Sequence, residues 1–227
     1  QTELVDAITG LRKADSGEIF IGDKKITGLS PRQRGYSGLA HIPEDRQRRG
    51  LVLMFSLVEN FLMGFEDSKP YRQGPMLDYK AAEKFADRAI NIFDVRTPGS
   101  HVSAKTLSGG NQQKLIVARE FQRNPEVMVA AQPTRGLDVA AIEFVHNKLL
   151  ELRNNDKGVL LISMELTEIL DLSDRILVMY EGKIVGEFKG GEATAEQLGL
   201  LMAGSREERL TADVLEALRL DNKDKDA

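Results

Sequence analysis

Apolar residues along the chain recur at two different spacings. Between 80 and 93 they lie three and four residues apart, which predicts an amphipathic helix. Short uninterrupted apolar runs, which predict buried strands, lie at 126–131, 158–163 and 174–180. The helices expected around them cover 110–123, 138–154 and 165–171. Alternation of this kind favours an α/β fold, in which helices cover a mostly parallel sheet.

The first half of the chain carries weaker and more varied patterns. Residues 17–26 read as two β-prone runs around a Gly-Asp turn, which predicts a hairpin. Residues 38–42 predict a strand that stops at Pro43. The segment 46–105 is helical in character, with a helix at 58–64 as well as 80–93 and a loop-like stretch at 69–74. We expect it to be a helical subdomain inserted into a sheet-containing core.

Both ends of the chain have patterns of their own. Apolar positions 4, 5 and 8 have helical spacing, but no Met and no capping residue precede them, so we expect a piece of a longer chain. Near the other end, a tight turn at 180–183 leads into a strand at 184–188 and a helix at 194–202. The tail 205–227 is expected to be a charged helix.

Composition narrows the classes of function. The chain is 41% hydrophobic and 29% charged, as in an ordinary globular protein. Its formal net charge of −4 offers no long-range attraction to nucleic acid, which is therefore not an expected partner. The absence of Cys excludes disulfides and thiolate metal sites. Because no apolar run approaches about 18 residues, a role at a membrane is expected to come through a partner.

The octet LSGGNQQK, at 107–114, is the strongest single motif. Ser108, Gly109 and Gly110 stand immediately before an apolar helical run. A hydroxyl, unobstructed backbone amides and the positive end of a helix dipole together suit a phosphate. A bare Ser-Gly-Gly is more often a helix cap with glycines in a turn, but the full octet with its flanks favours the phosphate site.

LSGGNQQK resembles the signature motif of ATP-binding cassette (ABC) ATPases, in the variant typical of bacterial importers of simple sugars and nucleosides. The likeness covers residues 1–204, and three further motifs keep the family's order: HIPEDR at 41–46, PTRGLD at 133–138 and SDRI at 173–176. The resemblance implies a P-loop NTPase-like (RecA-like) core with a mostly parallel sheet, a small antiparallel β part and an inserted α-helical subdomain. Importers of this kind carry two cassettes on one polypeptide, and this chain resembles the second.

The same resemblance gives a register for the N-terminus. A P-loop reads G-x-x-x-x-G-K-[ST], with Lys on the phosphates and the hydroxyl on Mg²⁺. Aligning Gly10 with a glycine common in the family puts Gln1 at the Lys position and Thr2 at the hydroxyl position. The resemblance thus implies ATP and Mg²⁺ as cofactors, with Gln1 and Thr2 near the nucleotide and Thr2 as a metal ligand, while the glycine-rich loop lies outside the sequence. An ordinary amphipathic helix would explain the apolar spacing alone.

Three catalytic positions of the family are changed. Where a cassette has an Asp for Mg²⁺ and a Glu for the attacking water, this chain has Ala131 and Gln132. Gln132 can hydrogen-bond a water but cannot take its proton. Met164 stands where many cassettes have a His, although that change is usual in second cassettes and Met164 can simply pack. The resemblance therefore implies that no catalytic residue is intact and that the isolated chain is deficient in hydrolysis.

The remaining candidate residues come from the matched motifs. Ser108, Gly109, Gly110 and Gln112 are expected to bind nucleotide. Glu44, at the position of the family's Gln loop, and Gly136 and Asp138, in the loop after the strand, are expected to couple the site to its neighbours. A solvated charge cluster is the alternative for the Glu44 loop. His41, His101 and His146 lack the spacing of metal ligands.

Two functions from different classes follow. The leading hypothesis is a degenerate second cassette that supplies its signature to the ATP site of a first cassette, expected on the same polypeptide. The alternative is a non-catalytic, nucleotide-sensing half that docks on membrane subunits through 46–105 and the Glu44 loop. Either protein would work with transmembrane permease subunits, indirectly with a substrate-binding protein, and peripherally at the cytoplasmic face of the membrane. A soluble cassette acting on ribosomes or DNA fits the acidic balance poorly.

Overall fold

The helices and strands of the computed structural model follow the expected alternation most closely in the second half of the chain. The structure describes residues 1–74 and 76–204. The helices are α1 (Thr2–Thr9), α2 (Pro31–Tyr36), α3 (Leu57–Leu62), α4 (Tyr79–Ile92), α5 (Gly109–Phe121), α6 (Val139–Asn154), α7 (Leu166–Leu172) and α8 (Ala195–Met202). The strands are β1 (Phe20–Ile21), β2 (Lys24–Lys25), β3 (Leu39–Ile42), β4 (Arg72–Gln73), β5 (Met76–Leu77), β6 (Val127–Ala131), β7 (Gly158–Ile162), β8 (Arg175–Tyr180) and β9 (Lys183–Lys189).

Residues Thr2–Ile162 form one compact unit around a three-stranded parallel sheet. The strand order is β3-β6-β7, with Ile42 opposite Ala130 and Ala131 opposite Ile162. Because the strands are parallel, β3 and β6 end at the same edge of the sheet. The loops that begin at Pro43 and Gln132 therefore leave the sheet side by side, which is where open α/β sheets usually place a site.

One apolar core joins the sheet to the segment 46–105. Ile42 and Met128 of the sheet, Ile116 of α5 and Phe61 of α3 belong to a single buried cluster. Phe61 stacks edge-on against Phe85 of α4, with the ring centroids 6.0 Å apart. The helical character expected of 46–105 is present, with two helices close to the predicted bounds. The stretch 69–74, expected to be a loop, instead contributes β4 to a short antiparallel hairpin with β5.

Helix α1 packs on the sheet beside the end of β6. Val5 is buried in a cluster with Leu39, Val129 and Ala131. The C-terminal turn of the helix is capped by the buried Arg34, whose Nη1 donates to the carbonyls of Ala7 and Ile8, each at 2.6 Å. Charged donors on these carbonyls satisfy the otherwise unpaired C-terminal turn. The predicted amphipathic helix is thereby confirmed.

The described residues 163–204 form a second compact unit, with which Gln1 is grouped. Here β8 pairs antiparallel with β9, and α8 contributes Leu198 and Leu201 to a small core with Ile176 and Val178. The expectation that 174–180 joins the parallel sheet is wrong among the residues that the structure describes. Glu181 and Gly182 both adopt positive φ, 45° and 77°, and this backbone directs β8 into a tight hairpin.

The structure divides into compact units between residues 162 and 163, whereas the expected organisation has one cassette at 1–204. The single cassette stays a prediction. The predicted tail at 205–227 lies outside the described residues. Over the described ranges, no helix is both long enough and apolar enough to cross a membrane.

Candidate functional site

Ser108 begins the helix that carries the signature motif. Its extended backbone places Oγ over the first turn of α5, where it accepts from the backbone N–H of Asn111 at 3.4 Å and from Asn111 Nδ2 at 3.0 Å. Ser108 is exposed, and Gly109 and Gly110 are half-buried. The free N–H groups and the dipole of this 13-residue helix fit a phosphate oxygen. The capping and the phosphate interpretations of the motif are compatible in this geometry.

Two glutamines hold α5 in place. Gln112, 3% exposed, donates from Nε2 to the carbonyls of Ala104 and Leu107 at 3.3 Å each. Gln113, 2% exposed, donates from Nε2 to the carbonyl of Pro133 at 2.7 Å. Buried amides of this kind must be paired, and both are. Gln112, expected at the nucleotide, thus uses its amide donors inside the protein to support the signature.

The end of β6 carries no carboxylate. Ala131 is 5% exposed and packs with Val5, and its methyl side chain can neither bind a metal nor donate a hydrogen bond. Gln132 leaves the sheet with a left-handed φ of 47°, and its backbone N–H donates to Ile162 at 2.7 Å. Mg²⁺ requires oxygen ligands, usually one or two carboxylates. The donor set of this strand end therefore does not fit a resident Mg²⁺.

The loop after Gln132 returns to the signature. Gly136 has a φ of 67°, which favours glycine, and Asp138 then caps α6 by accepting from Ala141 N at 2.9 Å. A methyl group at Gly110 would lie 3.3 Å from Ala141 Cβ and 3.4 Å from Asp138 Oδ2. The structure thus brings Asp138, expected to communicate across a dimer, against the signature of its own chain.

The loop after β3 reaches both of these segments. Glu44 pairs with Arg135, with 2.7 Å between Oε1 and Nη1, and both side chains are exposed, which is compatible with a solvated charge cluster. Arg46 Nη1 donates to the carbonyl of Arg135 at 2.8 Å, and Gln47 Nε2 donates to Gln112 Oε1 at 3.1 Å. Asp45 starts a π-helical turn by accepting from the backbone of Arg48 and Gln47, and these bonds lower its pKa. π-helical turns of this type frequently mark functional sites.

The remaining candidates are exposed. Thr2 is exposed at the start of α1, and Gln1 is exposed. Met164, 65% exposed, belongs to the second unit. The sequence predicts no site role for Arg46, Gln47 or Gln113. The available signal for a site role is that these polar residues stand near the start of a helix or in the loop after a strand.

A family comparison decides what these motifs belong to. The model of the ABC transporter family matches residues 1–135, more than half of the 227-residue chain. The chain belongs to the ABC transporter family.

Relatives within the ABC transporter family are close in sequence. The chain is 53% identical over 205 residues to the guanosine import ATP-binding protein NupO of Bacillus subtilis, covering 90% of the chain and 40% of the relative. It is 48% identical to the nucleoside import ATP-binding protein NupA of Lactococcus lactis, again covering 90% and 40%. A ribose import ATP-binding protein, RbsA of Clostridium tetani, is 38% identical over 87% of the chain and 39% of its own length. The chain therefore spans about 40% of the length of these relatives.

Solved structures of ABC cassettes share the fold. A nucleotide-free ATP-binding cassette matches with a TM-score of 0.68 at 24% identity, covering 84% of this chain and 76% of that one. A dimeric cassette in a post-hydrolysis state, bound to ADP and Pi, matches with a TM-score of 0.69 at 21% identity, covering 83% and 79%. The expected fold class, an α/β P-loop NTPase-like cassette with a parallel sheet and a helical subdomain, is confirmed.

Proposed function

We propose that this chain is the second ATP-binding cassette of a bacterial importer for nucleosides or simple sugars, and that its signature completes the ATP site of a first cassette on the same polypeptide. The names of the relatives support this substrate class. Their length supports a longer parent, because the matched region is 40% of each nucleoside-importer relative. The protein would act at the cytoplasmic face of the membrane with permease subunits and, indirectly, a substrate-binding protein.

The observation that carries the proposal is that the start of α5 keeps its phosphate-binding groups, whereas the end of β6 lacks catalytic groups. The start of α5 has a capped, exposed Ser108 followed by two glycines and fits a phosphate. The end of β6 has Ala131 and Gln132 and lacks a metal ligand and a base. A chain with an intact signature and a degenerate strand end is useful when its signature serves another cassette's nucleotide.

This chain's residues would act by binding rather than by proton transfer. MgATP, held by the first cassette, would supply the phosphoryl group and the metal that polarises it. The Ser108 hydroxyl and the amides of Gly109 and Gly110 would donate to oxygens of the terminal phosphate, where negative charge must be held during transfer. Their uncharged donors need rigid placement, which the buried Gln112 and Gln113 provide.

The test places a large cation on the signature. In the full-length protein within its transport assembly, Ser108→Arg should reduce ATP hydrolysis and transport to near background, because the side chain fills the phosphate position. Gly110→Asp should do the same, since it adds a carboxylate beside Asp138. Ser16→Arg, at an exposed turn, is the matched control. Normal hydrolysis and transport in the two signature variants contradict the proposal.

A second candidate function is favoured by exposed apolar side chains near the same site. Met54 is 74% exposed and Phe55 45% exposed, on the segment that follows the Glu44 loop. If the chain is a non-catalytic half that only docks on membrane subunits, Phe55→Ser uncouples transport while Ser108→Arg leaves it intact. The opposite pattern supports the leading proposal.

A further inference from the structure

Arg46 lies between the signature and the loop that follows β6. Its Nη1 donates to the carbonyl of Arg135 at 2.8 Å. Its Nη2 would be 3.0 Å from a methyl group at Gly109 and 3.9 Å from one at Gly136. The guanidinium therefore crowds the space that a side chain at Gly109 would fill, and it lies within van der Waals contact of the position at Gly136. One planar group thereby sets the spacing between the first residue of α5 and the loop.

The neighbours of Arg46 in sequence fasten the same two segments. Glu44 forms an ion pair with the side chain of Arg135, the residue whose carbonyl accepts from Arg46. Gln47 donates to the buried Gln112 of α5. We call residues 44, 46 and 47 the clamp. All of its contacts lie inside the unit Thr2–Ile162, and it spans 89 residues of sequence between Arg46 and Arg135.

Arg46 is not where helix stability alone would put a cation. Positive charge near the N-terminus of a helix is unfavourable, because the helix dipole is positive there. The Nε atom of Arg46 is also buried without a hydrogen-bond partner, which costs free energy. The position of this arginine is better explained by the two segments that it connects than by helix stability. Arg48, two residues on, shows the ordinary alternative, with a side chain 88% exposed and only a 3.8 Å pairing with Asp45.

We propose that Arg46 is a positioning residue for the ATP site that the signature completes: its guanidinium fixes Gly109, and with it Ser108, at the distance from the 132–138 loop that the closed site requires. This inference rests on the proposed function above. Arg46 acts through the signature and needs no contact with the nucleotide. A lysine keeps the charge but cannot reach Arg135 and fill the space beside Gly109 with one planar group.

The test is steady-state ATP hydrolysis by the full-length protein in its transport assembly. Arg46→Met should lower kcat about tenfold, the scale of one charge-assisted hydrogen bond. The KM for ATP should stay within about twofold, because ATP would be held mainly by the first cassette while the signature engages in the closed state. Arg46→Lys should restore less than half of the lost kcat. Arg48→Met is the matched control and should leave both constants unchanged.

Steric rescue separates positioning from folding. Gly109→Ala should lower the unfolding midpoint with Arg46 present, and Arg46→Ser should relieve that effect in the double variant. If the shifts in unfolding midpoint of the two single variants simply add in the double variant, Arg46 does not crowd Gly109 and the assigned contact is wrong. Full activity of Arg46→Met, or complete rescue by Arg46→Lys, overturns the positioning role. If Ser108→Arg abolishes hydrolysis while Arg46→Met has no effect, only this inference fails. If Ser108→Arg has no effect, the proposed function fails.

Discussion

Replacing Gln113 by Leu should loosen the connection between the signature helix and the loop after β6. Gln113 is buried, and its Nε2 donates to the carbonyl of Pro133 at 2.7 Å. Leu has nearly the same volume, so packing changes little, but the carbonyl loses its partner. An unpaired buried acceptor costs about 1–3 kcal/mol. At about 2 kcal/mol, a protein of this size should lose about 4–8 °C of unfolding midpoint.

Thermal unfolding of the 227-residue chain by circular dichroism measures this change. Gln122→Leu is the control, because Gln122 ends the same helix and is only half-buried. Gln113→Glu should be worse than Gln113→Leu, since a carboxylate facing a carbonyl adds repulsion to the missing bond. Equal midpoints for Gln113→Leu and Gln122→Leu refute the reasoning.

Three further predictions concern other parts of the unit Thr2–Ile162. With a P-loop fused upstream of Gln1, the chain should still hydrolyse ATP only at background, because Ala131 and Gln132 supply neither a metal ligand nor a base; turnover in a phosphate-release assay would contradict this. Burial lowers the pKa of His41 below 6.5. The unfolded chain therefore takes up a proton first as pH falls through 6.5, so urea unfolding should show stability lost below that pH, and His41→Gln should remove the dependence. Asn60 is fully buried and bonded to both backbone groups of Val52 at 3.0 Å, so Asn60→Leu should cost about 3 kcal/mol in the same assay; a loss below about 1 kcal/mol contradicts it.

Periodicity predicted the elements whose apolar positions face a single core. The helix expected at 80–93 is found as Tyr79–Ile92, and the strand at 126–131 as Val127–Ala131. The helix pattern is strong because Ala82 and Ala86 are buried on one face, and the strand run is uninterrupted because Met128 and Val129 are buried in clusters on its two faces. The apolar run at 174–180 did not specify its partner strand, but the tight turn expected at 180–183 is confirmed. The Glu181-Gly182 turn decided that pairing.

The candidate site was predictable in its motifs but not in its connections. The octet located the start of α5, because Ser is a preferred N-cap residue and stands directly before the helical run. Side-chain contacts between residues far apart in the sequence could not be predicted from the motifs. Arg46 and Arg135 are 89 residues apart, and Gln47 and Gln112 are 65 apart. For the same reason, Gln112 was expected at the nucleotide although its amide lies inside the protein.

We propose that ATP hydrolysis depends on this chain's signature and does not occur at its own strand end. The most direct measurement is a single-turnover assay on the full-length protein in its assembly, counting ADP formed per polypeptide with and without Ser108→Arg. We expect hydrolysis at a single site per polypeptide, and its loss in the variant. Hydrolysis at both sites, or unchanged ADP formation in Ser108→Arg, would contradict this role of the signature.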